Sequence, residues 1–315
     1  MKVALALGGG SVRGFAHLGV LEALKKHDIK FDFIVGTSAG GIVGTLYAFK
    51  KDIYECYKVL ENAAHSEIVK EMKLQNYKLN HQGDKEDTGR IQKFLSTVRG
   101  AMLLRKSLVH RSMVPVESIQ EFFELIYPRG LTFEDLEMPV YTVALDIISG
   151  KDVVIGTGEV IKAVRATSAI PGLLPPVELD GMVLVDGGTT QKVPVESAYL
   201  LGADVVIAVD VGRDPSPEDP LESGLEIMWR TEDWSNYRLH LKQLSMADVV
   251  LKPRISHIEW YDTDAAEFLF KEGYEEALKK IDEIKKATSP SLFRRLFGRK
   301  KKFYQEPLGK YVILK

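Results

Sequence analysis

The sequence of 315 residues contains a single cysteine, Cys56, and a net charge of only -2. One cysteine excludes a disulfide within the chain, which is typical of reducing compartments. The longest apolar runs are too short for a membrane-spanning helix, and the apolar start is too short for a signal peptide. The small net charge lacks the basic excess of a nucleic-acid-binding protein. We therefore expect a cytoplasmic globular protein that binds no nucleic acid and whose contact with membranes is peripheral.

Short apolar runs alternate with segments of helical spacing along much of the sequence. Residues 3–7 and 31–35 are predicted strands, and each is followed by a glycine-containing turn and a helix. The same alternation returns after Pro139, with long helices predicted over residues 221–246 and 265–286. This order predicts an α/β fold with a parallel sheet.

Two regions interrupt this alternation. Residues 53–128 are predicted to form a mostly helical insertion or cap, with an exposed polar loop at 80–87. Within it, residues 98–114 mix basic and apolar side chains, which suits either a cap over the site or a packed helical hairpin. We predict one domain over residues 1–288 and a separate basic and aromatic tail over residues 289–315.

Residues 36–40 read Gly-Thr-Ser-Ala-Gly and lie between a predicted strand and a predicted helix. This is the pattern of a nucleophile elbow, a tight turn that presents a serine hydroxyl to substrate. Side chains at Gly36 and Gly40 would clash with the neighbouring helix and strand. The N-terminus of the following helix favours developing negative charge. We therefore predict Ser38 as a catalytic nucleophile.

A serine hydroxyl needs a base within hydrogen-bonding distance. Among the seven histidines, His240 and His257 occupy the late region where an α/β-hydrolase keeps its catalytic histidine. The alternative base is Asp186, at the end of an apolar strand, where Gly187 and Gly188 keep the approach open. Taken alone, the Asp-Gly pair is also typical of an ordinary turn.

A glycine-rich segment, residues 8–14, lies between the first strand and the first helix. It matches neither a dinucleotide-binding loop nor a P-loop, because the required third glycine and the Gly-Lys-Ser/Thr step are absent. The remaining interpretation is an oxyanion hole in which backbone N–H groups of Gly8, Gly9 and Gly10 stabilise a tetrahedral oxyanion.

In this order, the three elements resemble the patatin-like phospholipase family, in its short bacterial form. The resemblance includes residues 8–14, 36–40 and 186–188, together with residues 166–172, Pro175, Pro176 and residues 192–195. It spans roughly residues 1–212 and is weaker as far as residue 286. Thr167-Ser168 departs from the Ser-Cys or Ser-Ser of the family pattern, and the 66–112 region is longer than in compact members.

The resemblance implies a Ser38–Asp186 dyad, an acyl-enzyme that water hydrolyses, and a lipid ester substrate, either a phospholipid or a lysophospholipid. It also implies a three-layer α/β/α fold with a mostly parallel central sheet and no metal or cofactor. A carboxylate with a pKa of about 4 is a poor base for a hydroxyl. Partial burial near apolar residues raises the pKa of a carboxylate, and an oxyanion hole lowers the cost of the alkoxide-like transition state. We therefore infer that the oxyanion loop carries much of the catalysis. Arg13 is either a contact for a lipid phosphate or an anchor to backbone carbonyls, and the anchor is favoured.

Three other functions stay open at this stage. They are an α/β-hydrolase esterase with a Ser-His-Asp triad that uses His240 or His257, a non-catalytic lipid-binding protein on the same scaffold, and an acyl transferase. Residues 291–304 of the tail mix basic and bulky apolar side chains, which suits an anionic membrane surface, a solvated tail or a docked one. The sequence leaves the head group, the acyl position and the oligomeric state open.

Overall fold

The computed structural model describes residues 1–70, 112, 114–215, 224–289 and 311–314. Within these residues, nine strands form one sheet. In chain order they are β1 Val3–Leu7, β2 Phe33–Thr37, β3 Val140–Asp146, β4 Lys151–Ile155, β5 Val177–Leu179, β6 Met182–Asp186, β7 Val205–Val209, β8 Val249–Leu251 and β9 Tyr311–Leu314. The α-helices in the same part of the chain are α1 Phe15–Lys26, α2 Ala39–Lys50, α3 Ile53–Ala64, α4 Val116–Glu124, α5 Val160–Thr167, α6 Val195–Leu200, α7 Gly224–Leu244, α8 Ala266–Lys279 and α9 Ile281–Thr288.

The sheet has the order β5-β6-β3-β2-β1-β7-β8, with β4 pairing with β3 and β9 pairing with β4. The central pairs, β3–β2, β2–β1, β1–β7 and β7–β8, are parallel. The pairs β3–β4, β3–β6 and β5–β6 are antiparallel. The predicted mostly parallel α/β sheet is therefore confirmed, with an antiparallel part on one side.

Helices cover both faces of the sheet. Leu5 and Leu7 of β1 pack into one apolar core with side chains of α1, α2 and α8. The alternate residues Ala4 and Ala6 pack into a second core with α6 and the end of α7. Because successive side chains of a strand point to opposite faces, the two cores lie on opposite sides of the sheet. This arrangement is the three-layer α/β/α architecture.

The register around β3 brings two strand ends together. Along β3, residues 140–143 pair with β2 and residues 144–146 pair with β6. Since β4 pairs with residues 142–146 and so occupies the other edge, β2 and β6 share one edge of β3 and meet end to end. Thr37 lies opposite Val143, and Asp186 lies opposite the next residue, Ala144. The residue that follows Thr37 therefore meets Asp186.

Some predicted boundaries differ from the structure. The helix predicted over 265–286 is divided at Lys280 into α8 and α9. Residues 311–314, which lie in the predicted tail, pair with β4 as strand β9 and belong to the sheet. The Tyr-Val-Ile-Leu sequence of β9 has the aromatic and β-branched composition of a strand.

Most of the predicted insertion, the loop at 80–87 and the basic tail segment at 291–304 lie outside the described residues. The ends of the predicted insertion are helical as expected, in α3 and α4. None of the helices within the described ranges combines the length and apolar composition needed to cross a membrane. Cys56 is buried in α3, and this burial raises the pKa of its thiol to about 12.

Candidate active site

Ser38 occupies the sharp turn between β2 and α2, with φ 51° and ψ -121°. A positive φ is unfavourable for a residue with a side chain, and such strain costs about 1–3 kcal/mol. The flanking glycines make the turn possible. A Cβ on Gly36 would lie 2.4 Å from the backbone of Gly40, and one on Gly40 would lie 2.1 Å from the carbonyl oxygen of Leu7. Both flanking positions therefore leave no room for a side chain beside the turn.

Thr167, at the end of α5, holds the elbow from the adjacent layer. Its Oγ1 accepts a hydrogen bond of 2.9 Å from the N–H of Ser38 and donates one of 2.5 Å to the carbonyl of Val143. The hydroxyl therefore links the nucleophile to the strand that β2 and β6 share. The sequence drew attention to Thr167 only as a departure from a family pattern and predicted no role for it.

Asp186 is buried at the end of β6, and the Ser38 hydroxyl lies near enough to lower the pKa of its carboxyl. Its Oδ1 accepts the N–H of Gly188 at 2.7 Å, and its own N–H donates to Ala169 at 2.9 Å. Burial raises the pKa of Asp186 to about 6, although the hydrogen bond from Gly188 and the Ser38 hydroxyl act in the opposite direction.

Gly187 is required by the same close packing. A Cβ at this position would lie 2.3 Å from the carbonyl oxygen of Val143. The strand β6 can therefore end beside β3 only if the residue after Asp186 lacks a side chain. Segment 166–172 completes this arrangement, because Thr167 contacts the backbone of Ser38 and Ala169 contacts the backbone of Asp186.

The glycine-rich loop lies directly against the nucleophile, since a Cβ on Gly9 would be 3.2 Å from the Cβ of Ser38. Its N–H groups are not equivalent. Gly8 donates to the carbonyl of Val209 at 3.0 Å, and Gly9 donates to that of Lys192 at 2.9 Å. The N–H groups of Gly8 and Gly9, two of the three predicted oxyanion donors, are therefore engaged in hydrogen bonds that hold the loop to neighbouring segments. Of the three predicted donors, Gly10 is the one whose N–H meets no acceptor among the described residues.

Two buried side chains fix the shape of this loop. The Nε2 of His17 lies 2.8 Å from the carbonyl oxygen of Gly8, and burial lowers the pKa of His17 to about 4. The ring is therefore neutral at pH 7, and Nε2–H donates to the carbonyl. Arg13 donates from Nε to Val211 at 2.9 Å and from Nη1 to Ile258 at 2.8 Å. These contacts bear out the anchoring interpretation of Arg13.

The two histidines of the triad interpretation lie elsewhere. The Nε2 of buried His240 is 3.0 Å from Oδ2 of Asp210, which is also buried. His257 is exposed, and its ring contacts Phe268 with centroids 5.9 Å apart. Within the part of the chain that the structure describes, neither ring hydrogen-bonds Ser38. The structure instead brings Asp186 to the serine.

An apolar pocket of about 160 Å³ opens beside the elbow. Its lining includes Ala39, the residue after Ser38, and Ser11 of the glycine-rich loop. The remaining wall is almost entirely apolar or aromatic and includes Val12, Phe15, Ile42, Val43, Leu60, Ala64, Val69, Trp260 and Tyr261. A pocket without charged side chains beside Ser38 is suited to a hydrocarbon chain.

The family model for patatin-like phospholipase matches residues 5–199, which include the glycine-rich loop, the elbow and Asp186. The lysophospholipase NTE1 of Yarrowia lipolytica is 28% identical over 258 residues, covering 78% of this chain and 15% of the relative. An uncharacterized NTE family protein of Mycobacterium tuberculosis is 30% identical over 230 residues, covering 72% of this chain and 54% of the relative. The chain thus spans from 15% to about half of the length of these curated relatives.

Among solved structures, VipD from Legionella pneumophila is 14% identical and aligns with a TM-score of 0.43, over 89% of this chain and 66% of that one. ExoU in complex with SpcU, from Pseudomonas aeruginosa, is 15% identical and has a TM-score of 0.42, over 91% of this chain and 52% of that one. The family match covers more than half of the sequence and contains all three of its site motifs. The chain belongs to the patatin-like phospholipase family.

Proposed function

We propose that the protein is a serine acyl hydrolase that cleaves fatty-acyl esters of phospholipids or lysophospholipids through Ser38 and Asp186. The observation that carries this proposal is the register of β2 and β6 along β3, which sets Ser38 beside a buried carboxylate whose pKa burial raises to about 6. A base with a pKa near the working pH accepts a proton more effectively than an ordinary carboxylate. The family and the printed activity of the fungal relatives support a lipid ester as substrate.

In the proposed first step, Oγ of Ser38 attacks the ester carbonyl carbon while Asp186 takes the hydroxyl proton. The tetrahedral intermediate carries its negative charge on the former carbonyl oxygen. It collapses as the C–O bond to the alcohol breaks, and Asp186 returns the proton to the departing alkoxide. The products of this step are an acyl-enzyme and the alcohol, which is a lysophospholipid or a deacylated head group.

In the second step, Asp186 takes a proton from water, and the resulting hydroxide attacks the acyl-enzyme. Collapse of the second intermediate returns the proton to Ser38 and releases the fatty acid. The N–H of Gly10 and the N-terminus of α2 are the groups we assign to the oxyanion in both steps. A single oxyanion donor contributes roughly 3 kcal/mol to transition-state stabilisation. The apolar pocket beside Ala39 holds the acyl chain.

The test is release of fatty acid from a 1-palmitoyl lysophospholipid and from a diacyl phospholipid, with intact-mass detection of the acyl-enzyme. We expect release by the wild-type protein and an adduct of one acyl group. Ser38→Ala should abolish both, whereas Ser235→Ala, at an exposed serine of α7, should abolish neither. Absence of release from every acyl ester by the folded wild-type protein would overturn the proposal. Transfer of the acyl group to an added alcohol in preference to water would make the protein an acyl transferase.

We also propose that the basic and aromatic residues 291–304 bind an anionic membrane surface. Each basic residue near such a surface contributes about 1 kcal/mol. Because residues 311–314 belong to the sheet, deletion of the whole tail would remove β9. A variant that keeps β9 replaces Lys300, Lys301 and Lys302 with glutamine. We expect weaker sedimentation with vesicles containing phosphatidylserine, and unchanged sedimentation would contradict the proposal.

A further inference from the structure

A polar cleft of about 350 Å³ lies near the candidate dyad and shares no lining residue with the apolar pocket. It begins at Gly188, whose N–H donates to Asp186, and at the neighbouring Thr189. Its far wall is formed by α7, including Arg230 and Asp233. The cleft therefore begins two residues after Asp186, at the end of β6. Its lining contains charged side chains, whereas the lining of the apolar pocket contains none.

Lys192 connects this cleft to the nucleophile. Its carbonyl accepts the N–H of Gly9, and Gly9 lies against Ser38. One residue therefore separates the backbone of Lys192 from the serine. Lys192 also lines the cleft, and its ammonium group lies 3.1 Å from the carbonyl oxygen of Arg213, another lining residue.

The ammonium of Lys192 is distinct from the other cations around the cleft. Lys252 is ion-paired with Asp214 at 2.8 Å, and Arg213 is ion-paired with Glu259 at 3.3 Å. Nζ of Lys192 donates to the carbonyl of Arg213 at 3.1 Å, and no carboxylate of the described ranges lies within ion-pairing distance of it. Lys192 is thus a half-buried cation that has no anionic partner among the described residues.

The electrostatic surroundings of Lys192 favour an incoming anion. Burial lowers its pKa, and the nearby cations Arg13 and Lys252 act in the same direction, whereas Asp210 and Asp214 raise it. A partly desolvated ammonium gains more from an anionic hydrogen-bond acceptor than an exposed one does. The cleft lining contains three cations, Lys192, Arg213 and Arg230, and two carboxylates, Asp214 and Asp233. Arg213 and Asp214 are each already ion-paired, with Glu259 and Lys252.

We propose that Lys192, assisted by Arg213 and Arg230, binds the phosphate of the substrate's head group in this cleft while the acyl chain occupies the apolar pocket. This inference rests on the proposed acyl hydrolase function. It makes Lys192 a specificity-determining residue that distinguishes phosphate-bearing acyl esters from neutral ones. Arg13, whose guanidinium is engaged with backbone carbonyls, does not take this role.

The experiment compares two substrates that differ only by a phosphate, 1-palmitoyl lysophosphatidic acid and 1-palmitoylglycerol, in the same detergent. The readout is the ratio of their kcat/KM values. We expect Lys192→Gln to lower this ratio at least tenfold through KM for the phosphate-bearing substrate, because a hydrogen bond to a charged group is lost. Lys192→Arg should retain most of the ratio. Lys242→Gln, at an exposed lysine of α7, removes the same charge outside the cleft and should leave the ratio unchanged.

Three results would count against the proposal. An unchanged ratio in Lys192→Gln, with 1-palmitoylglycerol still hydrolysed, would overturn the phosphate subsite while the acyl hydrolase function stood. Hydrolysis of neither substrate by the wild-type protein would overturn both. The third result concerns inhibition of hydrolysis by inorganic phosphate. If it inhibits the wild-type protein and not Lys192→Gln while the ratio is unchanged, the cleft binds free phosphate and not the head group.

Discussion

Replacing Asp186 by asparagine should make the protein more stable at alkaline pH and not at acidic pH. Asparagine keeps an oxygen that can accept the N–H of Gly188, and it occupies nearly the same volume. What it removes is an ionised carboxylate in a buried position. The ionised form is the one that the proposed mechanism requires, so the same carboxylate should favour catalysis and disfavour folding.

The magnitude follows from the pKa of Asp186, which burial raises from the ordinary 3.8 to about 6. Between these two values, the folded protein holds this proton more tightly than the unfolded chain does. The free energy of unfolding therefore falls as pH rises through this window, and the whole cost of ionisation is present above pH 6. At 1.36 kcal/mol for each pH unit, the difference corresponds to about 3 kcal/mol.

The assay is urea-induced unfolding of the wild-type protein and of Asp186→Asn at pH 8 and at pH 4. At pH 8 we expect the variant to have the larger free energy of unfolding, by about 3 kcal/mol. At pH 4 the difference should be less than about 1 kcal/mol, because the carboxyl of the folded wild-type protein is then protonated. Asp180→Asn, at an exposed aspartate of the β5–β6 turn, is the matched control and should show no such pH dependence. An equal difference at both pH values would refute the reasoning.

Three further predictions concern catalysis and packing. The kcat/KM on a neutral ester should rise with pH through an apparent pKa of about 6, that of Asp186, and a flat profile from pH 5 to 8 would contradict the assigned base. Thr167→Val leaves the N–H of the nucleophile without its acceptor and should lower kcat about 10- to 100-fold, whereas Thr167→Ser should stay near wild type. Gly40→Ala places a Cβ 2.1 Å from the carbonyl oxygen of Leu7 and should lower the thermal midpoint sharply, whereas Gly224→Ala meets no atom within 4 Å and should not.

Much of the site could be predicted because its residues stand at strand ends. An apolar run that stops at Gly-Thr-Ser-Ala-Gly, or at Asp-Gly-Gly, marks the edge of a parallel sheet where loops and function collect. Ser38 and Asp186 are 148 positions apart in the sequence and adjacent in the structure. This adjacency depends on the register of β2 and β6 along β3. Sequence patterns predict the strands and not their register, so the pairing rested on family resemblance.

The features that the sequence did not predict are long-range hydrogen bonds. Gly8 and Gly9 resemble oxyanion donors in the sequence, but their N–H groups donate to the carbonyls of Val209 and Lys192, which are distant in the sequence. The role of Thr167 depends on α5 ending beside the elbow, which no local pattern indicates. Strand β9 is short and follows a basic segment, so composition alone assigned it to the tail. In each case, the partner is set by the tertiary fold.

The central claim is that Asp186, and not a histidine, activates Ser38. Its most direct test is kcat/KM on p-nitrophenyl butyrate for the wild-type protein, Ser38→Ala, Asp186→Asn and the double variant His240→Gln/His257→Gln, each shown to be folded by circular dichroism. The account predicts that Ser38→Ala and Asp186→Asn lose at least a thousandfold, and that the double histidine variant stays within about tenfold of wild type. A double histidine variant as inactive as Ser38→Ala, beside an active Asp186→Asn, would contradict the dyad and establish a histidine base.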